Sequence, residues 1–406
     1  MVSASQPQEL DRAKEASGTA VLEAADALVE LSHLVWAHPE VAFEERQAAD
    51  WTADALATGG FDVTMGVGDL PTAYTAAYGT GDLEVAVCVE LDALPGIGHA
   101  CGHNIIAAAG VGAGLGLRAV ADDLGLRIRV VGTPAEELGG GKILLLERGV
   151  FDGVQLAMMV HPSPVEGDAF ATLAVAQCDI HYRGRTAHAS VSPHLGVNAA
   201  DAITVAQVAL GLLRQHLDRG DQVHGIVTTG GEAANIVPGY ASARYFWRAP
   251  NLEALARLEP RVLACFEAGA LATGATLELE QLTLPYSEFD TDTEIAALYR
   301  ANAETLGRTF GSRPGGAAGS TDMANLSLLM PTIHPMLGLD SLPAVNHQPE
   351  FADFCRTPTA DQAVIDGARA MAATVVDAAL TPAVRQRLTS SADTAYGHRD
   401  SYPWRF

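Results

Sequence analysis

The sequence predicts an α/β protein: a layered, mixed-sheet domain interrupted by a smaller α+β insertion of ferredoxin-like order. Three observations carry this. Short apolar, β-branched runs alternate with helical stretches from about residue 20 to residue 165, as in a layered α/β domain. From about residue 170 the order becomes β-α-β-β-α-β, the split βαβ arrangement. From about residue 290 the helix–strand alternation resumes. A chain of 406 residues suits two domains. The boundaries fall at 1–169 and 286–406 for the two parts of the first, and at 170–285 for the insertion.

Composition narrows the function. The chain is 48% hydrophobic and 18% charged, which supports a large core and excludes a disordered chain. A net charge of −24 disfavours nucleic acid and an anionic membrane surface, both of which would be repelled. Lys14 and Lys142 are the only lysines; the remaining positive charge is arginine. Cys88, Cys101, Cys178, Cys265 and Cys355 form no CxxC and no regular framework, as in a reducing compartment. The polar start MVSASQPQELDRAKEA lacks the apolar core of a signal peptide. The longest apolar run, Ile105 to Leu117, is too short and glycine-rich to span a bilayer. A cytoplasmic protein is expected.

In chain order, VLEAADALVELSHLVW (21–36) has helical spacing, and His33 and His38 near its end are read as structural. EERQAADWTADALATGG is a second helix closed by Gly59 and Gly60. Strands are expected at 72–78, 84–91 and 127–132. After the second of these, Pro95, Gly96 and Gly98 make a loop in which His99, Cys101 and His103 alternate. A small-residue helix follows. Side chains between a strand's carboxyl end and a helix stand where open α/β sheets place their sites. Three such side chains in five residues, with Glu90 and Asp92 just upstream, favour a metal site over packing, because buried imidazoles need polar partners. The strand RIRVVG delivers Glu136 and Glu137 to its end, and a helix runs from Lys142 to Arg148. The stretch 154–164 reads as a strand with His161 at its end. Three successive strand ends thus present Cys/His, Glu/Glu and His.

The inserted region reads as strands in LAVAQCDIHYRGRTAHAS and in HGIVTTGGEAANIVPGYASARYFWRA, a helix from Gly196 to His216 between them, a helix LEALARLEPRVLACFEAGALATG and a strand TLELEQL. GGAAGSTDMANLSLLMPTIHPML and a helix near 360–380 complete the chain before a polar tail with late aromatics.

Seven segments, in order, resemble the M20 metallopeptidases and amidohydrolases: VELDALPGIGHACGHN, GTPAEELGGG, MMVHPSP, GRTAHASVSPHLGVNAADA, GGEAANIVPGYASARYFWR, GSTDMANLS and VNHQPEF. The chain looks most like the subgroup of N-acyl-amino-acid amidohydrolases, aminobenzoyl-glutamate hydrolases and the peptidase M20 domain-containing protein 2 type. The resemblance implies a two-part catalytic domain interrupted by a lid that forms homodimers. It implies metal-binding roles for Cys101, His103, Glu137, His161 and His347, and makes Glu136 the general base. His188 and Asn235 match residues that hold the substrate carbonyl and carboxylate. Arg248 matches an arginine that binds the carboxylate, with Arg244 nearby as a substitute. The wider family's HxD reads Glu90-Leu91-Asp92 here, and Asn104 and Ile105 follow His103 where many relatives carry Asp and a further His.

The residue types suit this chemistry. Thiolate, imidazole and carboxylate ligands fit one or two divalent ions, Zn2+, Mn2+ or Co2+, with the thiolate favouring zinc. Such an ion activates water and polarises an amide oxygen. Glu136 would move the proton, His188 would donate to the developing oxyanion, Arg248 would anchor a carboxylate, and Asp92 would orient a ligand. The expected reaction is hydrolysis of the amide bond of an N-acyl amino acid, aminoacyl-glutamate or dipeptide. A binding-only dimer is the alternative, but it has no use for the general base. A redox sensor at Cys101 lacks a resolving cysteine nearby in sequence. His181, His194, His216, His224 and His334 carry no motif of their own, although His334 follows the GSTD segment.

Overall fold

The computed structural model describes residues 6–168, 172–311, 319–395 and 404. Among these, 6–168 with 289–395 form one compact unit, and 172–288 with 404 form a second.

The first unit opens with helices α1 (Gln6–Glu23), α2 (Ala25–Ala37) and α3 (Arg46–Thr58), then strands β1 (Asp62–Met65), β2 (Tyr74–Tyr78) and β3 (Leu83–Glu90). Next come α4 (His103–Arg118), α5 (Ala121–Leu124), β4 (Leu126–Thr133), α6 (Gly141–Glu147), β5 (Leu156–Met158) and β6 (His161–Ser163). The second unit holds β7 (Ala174–Arg183), α7 (Ala199–Leu213), β8 (Gln222–Thr229), β9 (Tyr240–Ala249), α8 (Leu252–Thr273) and β10 (Thr276–Gln281). The first then resumes with α9 (Thr293–Thr305), α10 (Met323–Ser327), β11 (Thr332–Ile333), β12 (Met336–Gly338), α11 (Pro349–Phe354), α12 (Pro358–Leu380) and α13 (Pro382–Ala395).

Six strands build the first unit's mixed sheet in the order β1-β2-β4-β3-β5-β11. β3 is buried along its whole length, which is why VAVCVEL reads as a continuous apolar run: a parallel strand covered on both faces has no polar side. Val89 lies opposite Gly132 and Glu90 opposite Thr133, so β3 and β4 end level and their loops leave the same edge of the sheet.

Helix α4 is buried almost throughout, and its glycines explain how. A Cβ on Gly110 would come within 2.6 Å of Val89, and one on Gly112 within 2.8 Å of Leu28 and 2.9 Å of Ala368. The run GVGAGLG therefore lets α4 lie close to β3 on one side and to α2 and α12 on the other.

Two expectations need correction. The polar stretch from Gln6 onward forms α1, and the stretch 21–36 belongs to two helices that meet at Ala24. Good helix formers carry α1, and it buries Ser17 and Val21 against α4 and α12. The stretch 154–164 is also not one strand: β5 ends at Met158, and His161 opens β6, which pairs with β12 in a separate two-stranded sheet. Pro162 has no N–H to continue a central ladder.

The second unit is a four-stranded antiparallel sheet in the order β10-β7-β9-β8, with α7 and α8 packed on it, which is the ferredoxin-like arrangement. Asn198 and Asn251 cap α7 and α8 by accepting from Ala200 and Ala254 N–H groups. All five cysteines are free. Among the described residues no helix is long and apolar enough to cross a membrane. Of the tail beyond Ala395, only Trp404 is described, and it is buried; the segment before GSTD, 312–318, lies outside the described residues.

Candidate metal centre

The loops leaving β3 and β4 converge at one edge of the first unit's sheet. The loop after β3 turns through Gly98 and Gly102, both at positive φ, and delivers Cys101 before α4 begins at His103. The β4 loop turns at Ala135 (φ 58°) and delivers Glu136 and Glu137. His161 comes from β6. His347 stands at φ 67°, a conformation uncommon outside glycine, and its N–H donates to Ala100 O at 2.9 Å.

These side chains meet. Cys101 Sγ lies 3.4 Å from His161 Nε2 and 3.6 Å from His347 Nε2. His103 Nε2 lies 3.3 Å from Glu90 and 3.8 Å from Glu137, and His347 Nε2 is 3.5 Å from Glu137. Among the described residues four overlapping sets have ligand atoms within 4.8 Å of one another: Cys101/His103/His161, Cys101/Glu137/His347, His103/Glu136/Glu137 and the all-carboxylate Glu90/Glu136/Asp322. The structure thus brings together the five expected ligands and Glu136. His99 joins none of these sets.

Neighbouring groups orient them. His161 Nδ1 donates to Pro162 O at 2.8 Å, which puts the proton on Nδ1 and leaves the Nε2 lone pair toward Cys101. Asn346 donates to the same carbonyl at 3.0 Å. Asp92 takes three partners: the N–H groups of Glu136 (3.1 Å) and Glu137 (3.0 Å), and His103 Nδ1 at 3.3 Å. Its reading as an orienting residue thus acquires a geometry.

The charge balance fits a cation. Glu90, Glu136 and Asp322 gather near the Lys142 ammonium, which lies 2.6 Å from Glu90 and 2.7 Å from Asp322, and Asp92 and Glu137 add two further carboxylates beside His103. Burial, then Glu90 and Glu137, pushes the Glu136 carboxyl well above the ordinary range. Burial and Glu137 do the same to the Cys101 thiol. Burial opposes charge on His103, but Glu90, Asp92 and Glu137 outweigh it and raise the imidazole. Burial pushes His161 down to about 4. Glu90 Oε2, Glu137 Oε1 and His103 Nε2 make no hydrogen bond. A divalent ion requires thiolate, neutral imidazole and carboxylate ligands, so its binding here would release the protons held on Cys101 and His103 and satisfy the surplus carboxylates.

The remaining expected residues stand in the second unit. His188 is exposed, and its Nδ1 accepts from Ser190 N–H and hydroxyl at 3.3 and 3.2 Å. It bridges to Ile236, and Ala189 N–H donates to Asn235 O at 2.9 Å, so His188 and Asn235 are neighbours. Arg248 sits near the other end of β9, about 26 Å along the strand from Tyr240 at 3.3 Å per residue. Arg244 is engaged by Asp179 through two hydrogen bonds of 2.7 Å.

Sequence reasoning missed Glu45, Lys142, Asp322 and Asn346. One signal pointed to Lys142, a rare lysine in an arginine-rich chain. The ring of His334, left without a role, lies tilted against those of His161 and Phe289, with centroids 5.2 and 5.8 Å away.

Comparison with known proteins adds to this geometry. The family described as peptidase family M20/M25/M40 matches residues 87–377. A Xaa-Arg dipeptidase from Mus musculus is 36% identical over 396 residues, covering 93% of this chain and 91% of that protein. A p-aminobenzoyl-glutamate hydrolase component from Escherichia coli (strain K12) is 34% identical over 270 residues, 61% of this chain and 56% of that one. A Bacillus subtilis structure described as a dinuclear metal binding peptidase from M20 family superposes with a TM-score of 0.64 at 21% identity, covering 87% of this chain and 98% of that one. That likeness is one of fold.

Proposed function

Because the chain belongs to peptidase family M20/M25/M40, and is therefore a hydrolase of C–N bonds, we propose that it cleaves the amide bond of a dipeptide, N-acyl amino acid or aminoacyl-glutamate carrying a free carboxylate. One observation carries this reading: a buried carboxylate, Glu136, stands beside a Cys/His/Glu/His/His set with surplus negative charge. Two relatives support the substrate class, one a Xaa-Arg dipeptidase and the other a p-aminobenzoyl-glutamate hydrolase.

Cys101, His103, Glu137, His161 and His347 would hold one or two divalent ions, with zinc favoured by the thiolate over manganese or cobalt. When bound, such an ion lowers the pKa of water to about 7 and polarises the amide oxygen. Glu136 takes the proton of the attacking water on its carboxylate and returns it to the leaving nitrogen. Asp92 holds the Glu136–Glu137 backbone and the His103 ring. By the resemblance, His188 and Asn235 would hold the substrate carbonyl and carboxylate, and Arg248 would be a further carboxylate anchor.

Elemental analysis of the purified protein should find one to two divalent ions per chain, and a chelator should abolish hydrolysis of a panel of dipeptides, N-acyl amino acids and aminobenzoyl-glutamate. Full amidase activity in metal-free protein would sink the reading. The second unit is also assigned to self-association, as the resemblance implies. In sedimentation the unaltered protein and His188→Ala should both run as two-chain species, while His188→Ala loses about 10²-fold in kcat, the scale of one oxyanion donor. A monomeric unaltered protein would remove the dimer, and an unchanged kcat would remove His188 from the reaction.

A further inference from the structure

The β4 loop that carries Glu136 and Glu137 is gripped from two sides. Asp92 takes the N–H groups of Glu136 and Glu137. The N–H of the residue before them, Ala135, turns the other way and donates to Glu45 Oε1 at 2.8 Å. This divergence follows from Ala135's φ of 58°, a left-handed conformation that a Cβ disfavours. The same Glu45 oxygen accepts from Phe43 N–H at 2.9 Å, and Oε2 accepts the Thr72 hydroxyl at 3.0 Å. Glu45 is fully buried, and a buried carboxylate is tolerated only when its hydrogen bonds are made. The chain between Phe43 and Glu45 also touches this loop at a second point. The Phe43 ring lies so close to Gly139 that a Cβ there would come within 2.5 Å of it.

We propose that Glu45 is a positioning residue for the reaction: it holds Ala135 in its left-handed turn so that Glu136 points at the reacting water while Glu137 points at the metal. This rests on the reading of Glu136 as general base. Glu45 touches neither substrate nor ligand. Its effect passes through one backbone N–H.

The test compares variants of the metal-loaded full chain, with kcat, KM and metal content read for each. Glu45→Ala removes the acceptor. Its kcat should fall by about 10²-fold, the cost of a misplacement near 1 Å. KM should stay within about twofold and metal content should be unchanged, as for a loss confined to the transition state. Glu45→Gln keeps an oxygen for Ala135 and Phe43 and turns its amide N–H toward the Thr72 hydroxyl, so it should recover most of kcat. Glycine adopts φ 58° without a hold, so Ala135→Gly placed in the Glu45→Ala protein should recover part of it. If Glu45→Ala does not fold, Glu45→Asp keeps the charge but withdraws it from Ala135, and should show the same kcat loss at normal metal content. Unchanged kcat in Glu45→Ala or Glu45→Asp, metal lost together with kcat, or Glu45→Gln as impaired as Glu45→Ala would each overturn the proposal. Glu136→Gln, run alongside, separates the two readings. If it keeps its turnover, the general-base reading fails. If it loses turnover while the Glu45 variants do not, only the positioning role fails.

Discussion

Glu136→Gln should lower kcat by roughly 10²–10⁴-fold, the range of general acid–base catalysis, or about 3–5 kcal/mol of barrier. The substitution preserves size and leaves the Glu136 N–H on Asp92, so the loop should keep its shape. What it removes is the proton acceptor. The bound metal should stay near its unaltered content, because Cys101, Glu137 and His347 still form one ligand set and Cys101, His103 and His161 another. Single-turnover kinetics with elemental analysis on the same sample check both halves. Glu136 also belongs to a set with His103 and Glu137, so loss of metal together with activity would exchange the roles of the two glutamates.

The second large effect concerns stability. Lys142→Met should cost about 3–5 kcal/mol, the usual result of removing one partner from a buried ion pair. Lys142 is wholly buried between Glu90 and Asp322, and its own N–H donates to Asp322 at 2.8 Å. Without the ammonium, two buried carboxylates face each other with Glu136 close by. Against a typical total of 5–15 kcal/mol this is a large fraction. A urea titration should show the midpoint fall with the slope unchanged. Adding Asp322→Asn should return part of the loss by removing one unpaired charge. Lys142→Arg should not rescue, since a planar guanidinium cannot replace a compact point charge between two carboxylates. A Lys142→Met protein of unaltered stability would show that the cluster is compensated elsewhere.

The legible parts of the sequence share one property: their signal is local. β3 and α4 were readable because burial on all sides leaves only apolar or small residues; Cys101, His103, Glu136, Glu137 and His161 were readable as clusters in the loops after successive strands, whereas His347 came only from the resemblance of its VNHQPEF segment. The ferredoxin-like order of 170–285 was readable from alternation and turns, and the structure shows the strand order that goes with it. The unread parts depend on distant partners. Asp322 meets Lys142 across 180 positions and Glu45 meets Ala135 across 90. No period or spacing encodes such pairings. α1 was passed over because a polar helix lying on a core has little apolar periodicity to show. Arg244, named as a substitute for Arg248, is held by Asp179 from the neighbouring strand, a cross-strand pairing that needs the register to be seen.

The split of the first unit has a consequence for how the protein is made. By the time His161 leaves the ribosome, four of the five proposed ligands are already synthesised, but His347 follows about 190 residues later. At roughly 5–20 residues per second this is a wait of about 10–40 s. During it β5 has no neighbour on its outer side, since β11 is still to come. A nascent chain in that interval presents an open strand edge and an unfinished nest of thiol, imidazole and carboxylate groups, while the inserted ferredoxin-like unit is being completed.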